Sequence, residues 1–283
     1  MKNVLIIPNV TKDSDFSVTY MVAKKLVSLD FKVFIEEKYN TDLDGQVNVV
    51  NVLPRGLDFI AVIGGDGSVI DASLISIEYD IPIIGINLGK MGYLAEVEPG
   101  ELDVLDNLKT NNFRIEEKML LSISKNSKEY EFTAPRYAVN DIIIKNTALP
   151  GLSELVLTNS YEESVKYRAD GMILATPVGS TAYSLSAGGP IVSHDINCIL
   201  ATPICAHNFF NRSIIFKDSE KIRLRNIGKN TLNIYIDGRL FTELSTEESC
   251  MVFAAKKKLR MISFIDSNMF SAIFGKMKRF ENI

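Results

Sequence analysis

The chain has 283 residues, of which 46% are hydrophobic and 23% charged, enough for one large globular domain or two ordinary ones. A formal net charge of −4 gives no electrostatic basis for binding nucleic acid or an anionic membrane. No apolar stretch approaches the ~18 residues that a membrane-spanning helix needs. The amino terminus runs straight into a predicted strand, so no secretory signal and a cytoplasmic location are expected. Cys198, Cys205 and Cys250 are odd in number and lack Cys-x-x-Cys spacing. Buried free thiols in a reducing compartment are the expectation. With His194 and His207 as its histidines, the chain offers no structural zinc pattern. No Gly-x-Ser-x-Gly elbow supports a hydrolase triad.

In chain order, Asn3–Ile7 reads as a strand and Ser17–Leu29 as an amphipathic helix. Lys32–Ile35 is a second strand, and the mixed stretch Asp42–Val52 is left unassigned. Phe59–Ile63 is an unbroken apolar run, suited to a parallel strand buried on both faces. It feeds Gly64-Gly65-Asp66-Gly67-Ser68, after which Val69–Glu78 reads as a helix. Ile81–Ile86 is another buried strand, opening into the glycine-rich loop Asn87–Tyr93. This alternation to about residue 110 predicts an open α/β domain with a Rossmann-like parallel sheet.

After Phe113 the texture changes. Met119–Ser124, Tyr130–Phe132, Ala138–Lys145, Glu154–Thr158, Met172–Ala175, Ser213–Phe216, Lys221–Leu224 and Leu232–Ile236 read as short strands separated by polar turns. They predict a β-rich region of two packed sheets. Ile236-Asp237-Gly238-Arg239 is most simply an Asp-Gly hairpin turn. From about Glu247 apolar strands return at Met251–Ala254 and Met261–Phe264, and Ser267–Phe280 reads as a helix. The intervening Lys256-Lys257-Lys258 is read as solvated surface.

Three stretches carry chemistry. A strand, a Gly-rich turn and a helix start form a phosphate-binding arrangement, because glycine allows close backbone approach. Asp66 is out of place in a passive phosphate cradle, since a carboxylate repels phosphate. It makes sense as a handler of a hydroxyl proton, a metal ion or both; the plain alternative is Asp-Gly turn chemistry. Asn140-Asp141 lies inside a strand pattern, where both residues are disfavoured. The run Asp170 to Pro190 holds a carboxylate, a strand, a Gly/Ser/Thr turn and a short small-residue helix, suited to ribose or phosphate oxygens.

Together these stretches resemble the NAD kinase family over nearly the whole chain. The strongest part is Thr176-Pro177-Val178-Gly179-Ser180-Thr181-Ala182-Tyr183-Ser184-Leu185-Ser186-Ala187-Gly188-Gly189-Pro190. The Gly-Gly-Asp-Gly turn alone is shared with lipid kinases and phosphofructokinases. The resemblance implies an α/β domain at residues 1–113, a β-rich NAD-binding domain at 114–246 and a return segment at 247–283 packing on the first. It implies transfer of the γ-phosphate of ATP to the 2′-hydroxyl of NAD's adenosine ribose, with Mg²⁺ and in a homodimer or homotetramer. Asp66 would activate or orient that hydroxyl, and Gly64, Gly65, Gly67 and Ser68 would approach phosphates. Asn140 and Asp141 would contact adenine and ribose. Thr181, Ala182, Tyr183, Ser184 and Ser186 would form the adenosine pocket, with Tyr93 close by. Asp170, with Arg168 beside it, resembles a contact to the nicotinamide end, from the same or a neighbouring subunit. No metal ligand set is assigned to protein side chains.

Ser68 stands where the family more often has Thr, Val178 where Thr is common, and Arg239 where Gln is common; Arg239 receives no ligand role. The chain lacks Gly-x-x-x-x-Gly-Lys-Ser/Thr, so backbone amides and Mg²⁺ are expected to neutralise most phosphate charge. It also lacks a full Gly-x-Gly-x-x-Gly fingerprint. Two rival readings share the glycine turn: a kinase of a lipid or sugar phosphate, and a non-catalytic dinucleotide sensor.

Overall fold

The computed structural model describes residues 2–39, 41, 43, 45–89, 92–125, 137–146, 152–207 and 211–264. It divides into two compact units, Met1–Glu117 with Leu259–Ile283, and Lys118–Lys258. The expected strand Tyr130–Phe132 and helix Ser267–Phe280 lie outside the described residues.

The first unit contains β1 (Asn3–Pro8), α1 (Ser17–Ser28), β2 (Lys32–Glu36), β3 (Asn48–Val50), β4 (Phe59–Gly64), α2 (Asp66–Tyr79), β5 (Ile83–Asn87) and the single turn α3 (Asn107–Thr110). Its strands are parallel, in the order β3-β2-β1-β4-β5. Every residue of β4 is buried, as its unbroken apolar run requires. β3 occupies part of the stretch that the sequence left unassigned. Sequence order reverses direction between β1 and β4, the place where open α/β sheets bind ligands at strand carboxyl ends. Their ends are level, Pro8 opposite Ile63.

The segment after β1 is tightly fixed. Asn9 Oδ1 accepts the amides of Thr11 and Lys12, each at 3.1 Å. The buried Asp13 carboxylate accepts the amides of Val18 at 3.1 Å and Thr19 at 2.8 Å, and the Thr19 hydroxyl at 2.5 Å. Phe16, immediately before α1, is left-handed with φ 56° and gives the helix no side-chain cap. Asp13 therefore supplies the acceptor that the first helical amides need.

The second unit follows β6 (Arg114–Lys125), which begins in the first. Next come β7 (Tyr137–Ala138), β8 (Asp141–Lys145), β9 (Ser153–Thr158), β10 (Ser164–Ala169), β11 (Gly171–Ala175), the short α4 (Tyr183–Ser186), β12 (Cys198–Ile204), β13 (Ile214–Lys217), β14 (Lys221–Asn226), β15 (Leu232–Ile236), β16 (Arg239–Leu244) and β17 (Ser249–Ser263). One antiparallel sheet runs β13-β12-β11-β8-β15-β16. Antiparallel pairings also join β10, β9, β14 and the first part of β17. Ile142, Ile144, Met172 and Leu174 face a core shared with Leu155, Leu157, Ile222 and Leu224. The alternate residues Ile143, Ile173 and Ala175 pack on the other face with Val192 and Leu200. This period-2 division makes β11 buried throughout.

Five expectations change. Helix α2 starts at Asp66 and not at Val69, placing a carboxylate in its first turn, where the helix dipole favours negative charge. Val139 and Asn140 form a bend between β7 and β8 and do not continue a strand. The two terminal strands are one: β17 runs through Lys256–Lys258, and its Met261 pairs with Ile83 in the first unit. Strands β10 and β12 were not expected at all. Of the thiols, Cys198 and Cys250 are buried, but Cys205 is exposed in a left-handed position just after β12.

Replacing Asp13 with Ala leaves the first amides of α1 without their acceptor. The expected cost is about 1–3 kcal/mol of unfolding free energy. Urea denaturation would show it, and an unchanged midpoint would mean that water replaces the carboxylate.

Candidate active site

In the first unit the site is built at the carboxyl end of β4. The Asn9 amide donates to the Ile63 carbonyl at 2.8 Å, and Asn9 Nδ2 donates to Ser68 Oγ at 2.8 Å. These bonds tie the end of β1 to the glycine turn. A Cβ at Gly64 would lie 2.3 Å from Ser68 Oγ, so only glycine fits there. A Cβ at Gly65 would lie 2.8 Å from the Lys12 ammonium, and one at Gly67 would meet open space. The turn thus has one glycine packed on its own helix, one beneath a cation and one facing outward.

Asp66 is held by the second glycine-rich loop. Its Oδ1 accepts the amides of Tyr93 at 2.9 Å, Leu94 at 2.9 Å and Ala95 at 3.2 Å. Its Oδ2 accepts the Tyr93 amide at 2.7 Å. A Cβ at Gly92 would come within 3.1 Å of Asp66 Oδ1, so the close approach needs glycine. The second loop therefore aims its amides at a carboxylate. Burial and the Asp66 charge together raise the Tyr93 phenol above its ordinary pKa.

In the second unit another group of the expected site residues lies where β8, β11 and β15 have their ends together. Asp141 pairs with Ala175, and Ile142 with Ile236. The β15–β16 turn is left-handed at Asp237, φ 46°, and Gly238, φ 79°, as a tight hairpin requires. The Asp237 carboxylate accepts the amides of Val139 at 2.8 Å, Asn140 at 2.8 Å and Asp141 at 3.1 Å. From the other side, Thr176 Oγ1 donates to the Val139 carbonyl at 2.6 Å and accepts the Gly179 amide at 3.0 Å. The Thr176 amide donates to the Asn140 carbonyl at 2.9 Å. A Cβ at Gly179 would sit 2.0 Å from that carbonyl oxygen. The backbone of Asn140 and Asp141 is clamped between two turns.

Burial and the neighbouring Asp237 charge push the Asp141 carboxyl up to about 7. Asp237 is also raised by burial, against its three amide donors and the Arg239 charge. A buried and a half-buried carboxylate at one strand end disfavour double ionisation.

A pocket of about 440 Å³ opens beside α4, walled by Tyr183, Ser186, Gly188, Thr202, Cys205 and Arg212 among others. Tyr183 and Ser186 share it, as a spacing of three on a helical turn allows. Ser184 is fully buried, and its hydroxyl meets Thr202 Oγ1 at 2.9 Å. Thr181 Oγ1 donates to the Val178 carbonyl at 3.1 Å, Ala182 is half-buried, and Val178 is buried. Arg168 and Asp170 are not brought to Asn140. Arg168 lies on β10, 3.4 Å from Glu154. Asp170 precedes β11 at its opposite end, its amide on the Ile204 carbonyl at 2.9 Å.

Asn9, Lys12, Thr176, Gly179 and Asp237 were not singled out from the sequence. For Thr176 and Gly179 the motif was visible but their clamping role was not. The signal for Asp237 was its Asp-Gly turn, which reveals nothing about what the carboxylate faces until β15 is placed beside β8.

A parallel sheet ending in a Gly-Gly-Asp-Gly turn, in a chain with an antiparallel two-sheet unit carrying a polar pocket, defines a nucleotide-dependent phosphotransferase. Residues 4–108 match the ATP-NAD kinase N-terminal domain, and residues 139–264 match the ATP-NAD kinase C-terminal domain. The NAD kinase of Thermoanaerobacter sp. strain X514 is 34% identical, with 98% of this chain and 99% of the relative covered. That of Clostridium perfringens is 31% identical, covering 99% and 100%. The chain belongs to the NAD kinase family. Two solved structures share its fold. Yeast NADH kinase complexed with NADH has a TM-score of 0.85 at 22% identity, covering 97% of this chain and 86% of that one. An Archaeoglobus fulgidus NAD kinase in complex with ATP has a TM-score of 0.72 at 21% identity, covering 98% and 99%. The lipid or sugar-phosphate kinase reading falls with this membership.

The raised Asp141 has a sign that can be checked. Its folded pKa of about 7 exceeds the ordinary 3.8, so the native state binds the extra proton. Its contribution to stability is full below the ordinary value and is lost as pH rises through the folded one. Asp141→Asn should flatten the decline in urea midpoint between about pH 4 and pH 7. A decline as steep as in the wild type would mean that Asp141 is not its source.

Proposed function

We propose that the chain transfers the γ-phosphate of ATP to the 2′-hydroxyl of the adenosine ribose of NAD, giving NADP and ADP. The observation that carries this is the setting of Asp66. Four amide hydrogen bonds fix its carboxylate at the end of β4, three of them on Oδ1. An ionised carboxylate has about four acceptor positions, and Oδ2 keeps capacity for one more donor. That position suits the 2′-hydroxyl. The ribose oxygen attacks the γ-phosphorus, its proton passes to Asp66, and the bond to the β,γ-bridging oxygen breaks as ADP leaves. Phosphoryl transfer of this kind depends on alignment and charge neutralisation more than on covalent chemistry.

Asn140, Asp141, Thr181, Ala182, Tyr183 and Ser186 are assigned to the adenosine of NAD. Gly64, Gly65, Gly67 and Ser68 are assigned to phosphate approach. Mg²⁺ would be held by phosphate oxygens and water, since the free position on Asp66 Oδ2 is given to the 2′-hydroxyl. Among the described residues no cluster of three His, Cys, Asp or Glu forms a metal cage. When bound, the ion supplies charge neutralisation at the transferring group. Tyr93 acts through its amide, which orients Asp66.

Asp170 and Arg168 are assigned to the nicotinamide end of a dinucleotide held by a neighbouring copy, in a homodimer or homotetramer. Among the described residues no helix is long and apolar enough to cross a membrane, and the assigned location is cytoplasmic.

Two experiments test the reading. Asp66→Asn keeps the size of the side chain but removes charge and basicity. Turnover in a coupled NADP assay should fall about 10²–10⁴-fold, with calorimetric NAD affinity little changed. An amino group facing the Tyr93 amide should also cost about 1–3 kcal/mol of stability. Near-wild-type turnover would make the turn structural, and a wild type that binds NAD without forming NADP would favour the sensor. For the assembly, dilution followed by light scattering should show activity lost as copies separate. A fully active monomer would remove Asp170 from the site.

A further inference from the structure

Beside the glycine turn lies a second pocket, of about 340 Å³, within the first unit. That volume falls in the range of small-ligand sites. Its wall includes Pro8 and Asn9 after β1, Glu36 at the end of β2, Tyr39, and Ser68 and Asp71 on α2. It therefore opens at strand carboxyl ends, where α/β sheets take ligands. Asn9 and Ser68 are hydrogen-bonded to each other, and Ser68 touches the Gly64 position of the turn. The pocket and the turn share these two residues.

The charges sort the two places. The pocket wall carries the carboxylates of Glu36 and Asp71 against one ammonium, Lys38, which lies 2.6 Å from Glu36 Oε2. A polyphosphate has no reason to enter there. A ribose does, because an acidic residue at the end of the second strand accepts ribose hydroxyls in nucleotide-binding sheets. The Tyr39 ring adds an apolar surface of the kind that packs against a base. Over the turn the sign is reversed. The Lys12 ammonium is 2.8 Å from the Cβ position of Gly65. Its backbone is held by two bonds to Asn9, and Asp13 next to it is locked onto α1. Among the described residues the Lys12 side chain makes no ion pair. It is an exposed cation on a fixed backbone at a phosphate-type turn, in a chain without a P-loop lysine.

We infer that the pocket between Pro8, Glu36, Tyr39 and Ser68 takes the nucleoside of the phosphate donor, and that Lys12 binds its phosphates over Gly65. The inference rests on the kinase reading and deepens it, since it separates the donor's neutral end from its anionic end. Lys12 then supplies part of the charge neutralisation otherwise left to Mg²⁺ and amides.

The test measures donor binding apart from turnover. Calorimetry with AMP-PNP and Mg²⁺, without NAD, is run on the wild type, Lys12→Met and Glu36→Gln, with inorganic triphosphate as a second ligand. Circular dichroism checks that each variant is folded. Lys12→Met should weaken both ligands about tenfold to a hundredfold and raise the KM for ATP while leaving that for NAD unchanged. Glu36→Gln should weaken AMP-PNP and leave triphosphate unchanged. Unchanged AMP-PNP affinity in a folded Lys12→Met protein overturns the phosphate half. Equal effects of Glu36→Gln on both ligands, or none on AMP-PNP, overturn the nucleoside half. Both halves are decided by binding alone. A wild type that binds AMP-PNP but forms no NADP counts against the kinase reading and not against this pocket.

Discussion

Three aspartates of this chain, Asp13, Asp66 and Asp237, work by collecting backbone amides. A loop or helix start that turns its N–H groups away from the sheet must find acceptors for them, because an unpaired buried amide costs as much as a lost hydrogen bond. Asp13 supplies the acceptor for the first turn of α1. Asp66 does so for Tyr93, Leu94 and Ala95. Asp237 does so for Val139, Asn140 and Asp141. Asp13 acts locally, five and six residues from its donors, whereas Asp66 and Asp237 are carboxylates distant in sequence that fix loops strand geometry alone would leave loose. The glycines follow from the same constraint, since Gly92 and Gly179 allow approaches that a side chain would block.

The device gives each site residue a definite setting. Asn140 has no helix or strand to hold it, only the bend between β7 and β8. Its amide is pinned by Asp237 and its carbonyl by Thr176. The side chain therefore projects from a backbone fixed on both sides, the condition that precise ligand placement demands. The cost is electrostatic. Asp237, half-buried, and Asp141, buried, sit at one strand end, and desolvation raises both carboxyls.

Much of this was legible in the sequence where burial is uniform. The runs Phe59–Ile63 and Ile81–Ile86 mark parallel strands because both faces are covered, and the glycine turn after the first marks a strand end. The elements that escaped have mixed signals. β12 contains Pro203, which opposes Met172 within the sheet, and proline ordinarily demotes a strand. β17 carries Lys256–Lys258 mid-strand, so a charge run read as solvated surface between two strands is the exposed part of one continuous strand. The clamps were invisible for another reason. Asp66 with Ala95, and Asp237 with Val139, are long-range pairs, and no local pattern names the partner of a side chain.

The setting of Asp66 also resolves why a carboxylate stands in a phosphate-type turn. Three amides beside a turn would normally form an anion site. Here the anion they hold belongs to the protein. The second loop is thereby filled, and any phosphate over the turn must find its positive partners elsewhere. Gly67 faces open space, leaving room for backbone approach, and Lys12 stands over Gly65. A hydroxyl meeting Asp66 and a phosphoryl group meeting Lys12 would have opposite electrostatic needs met a few residues apart. Separating the two charges in this way favours a base and a polyanion side by side, which neither a turn without the aspartate nor a uniformly basic loop would do.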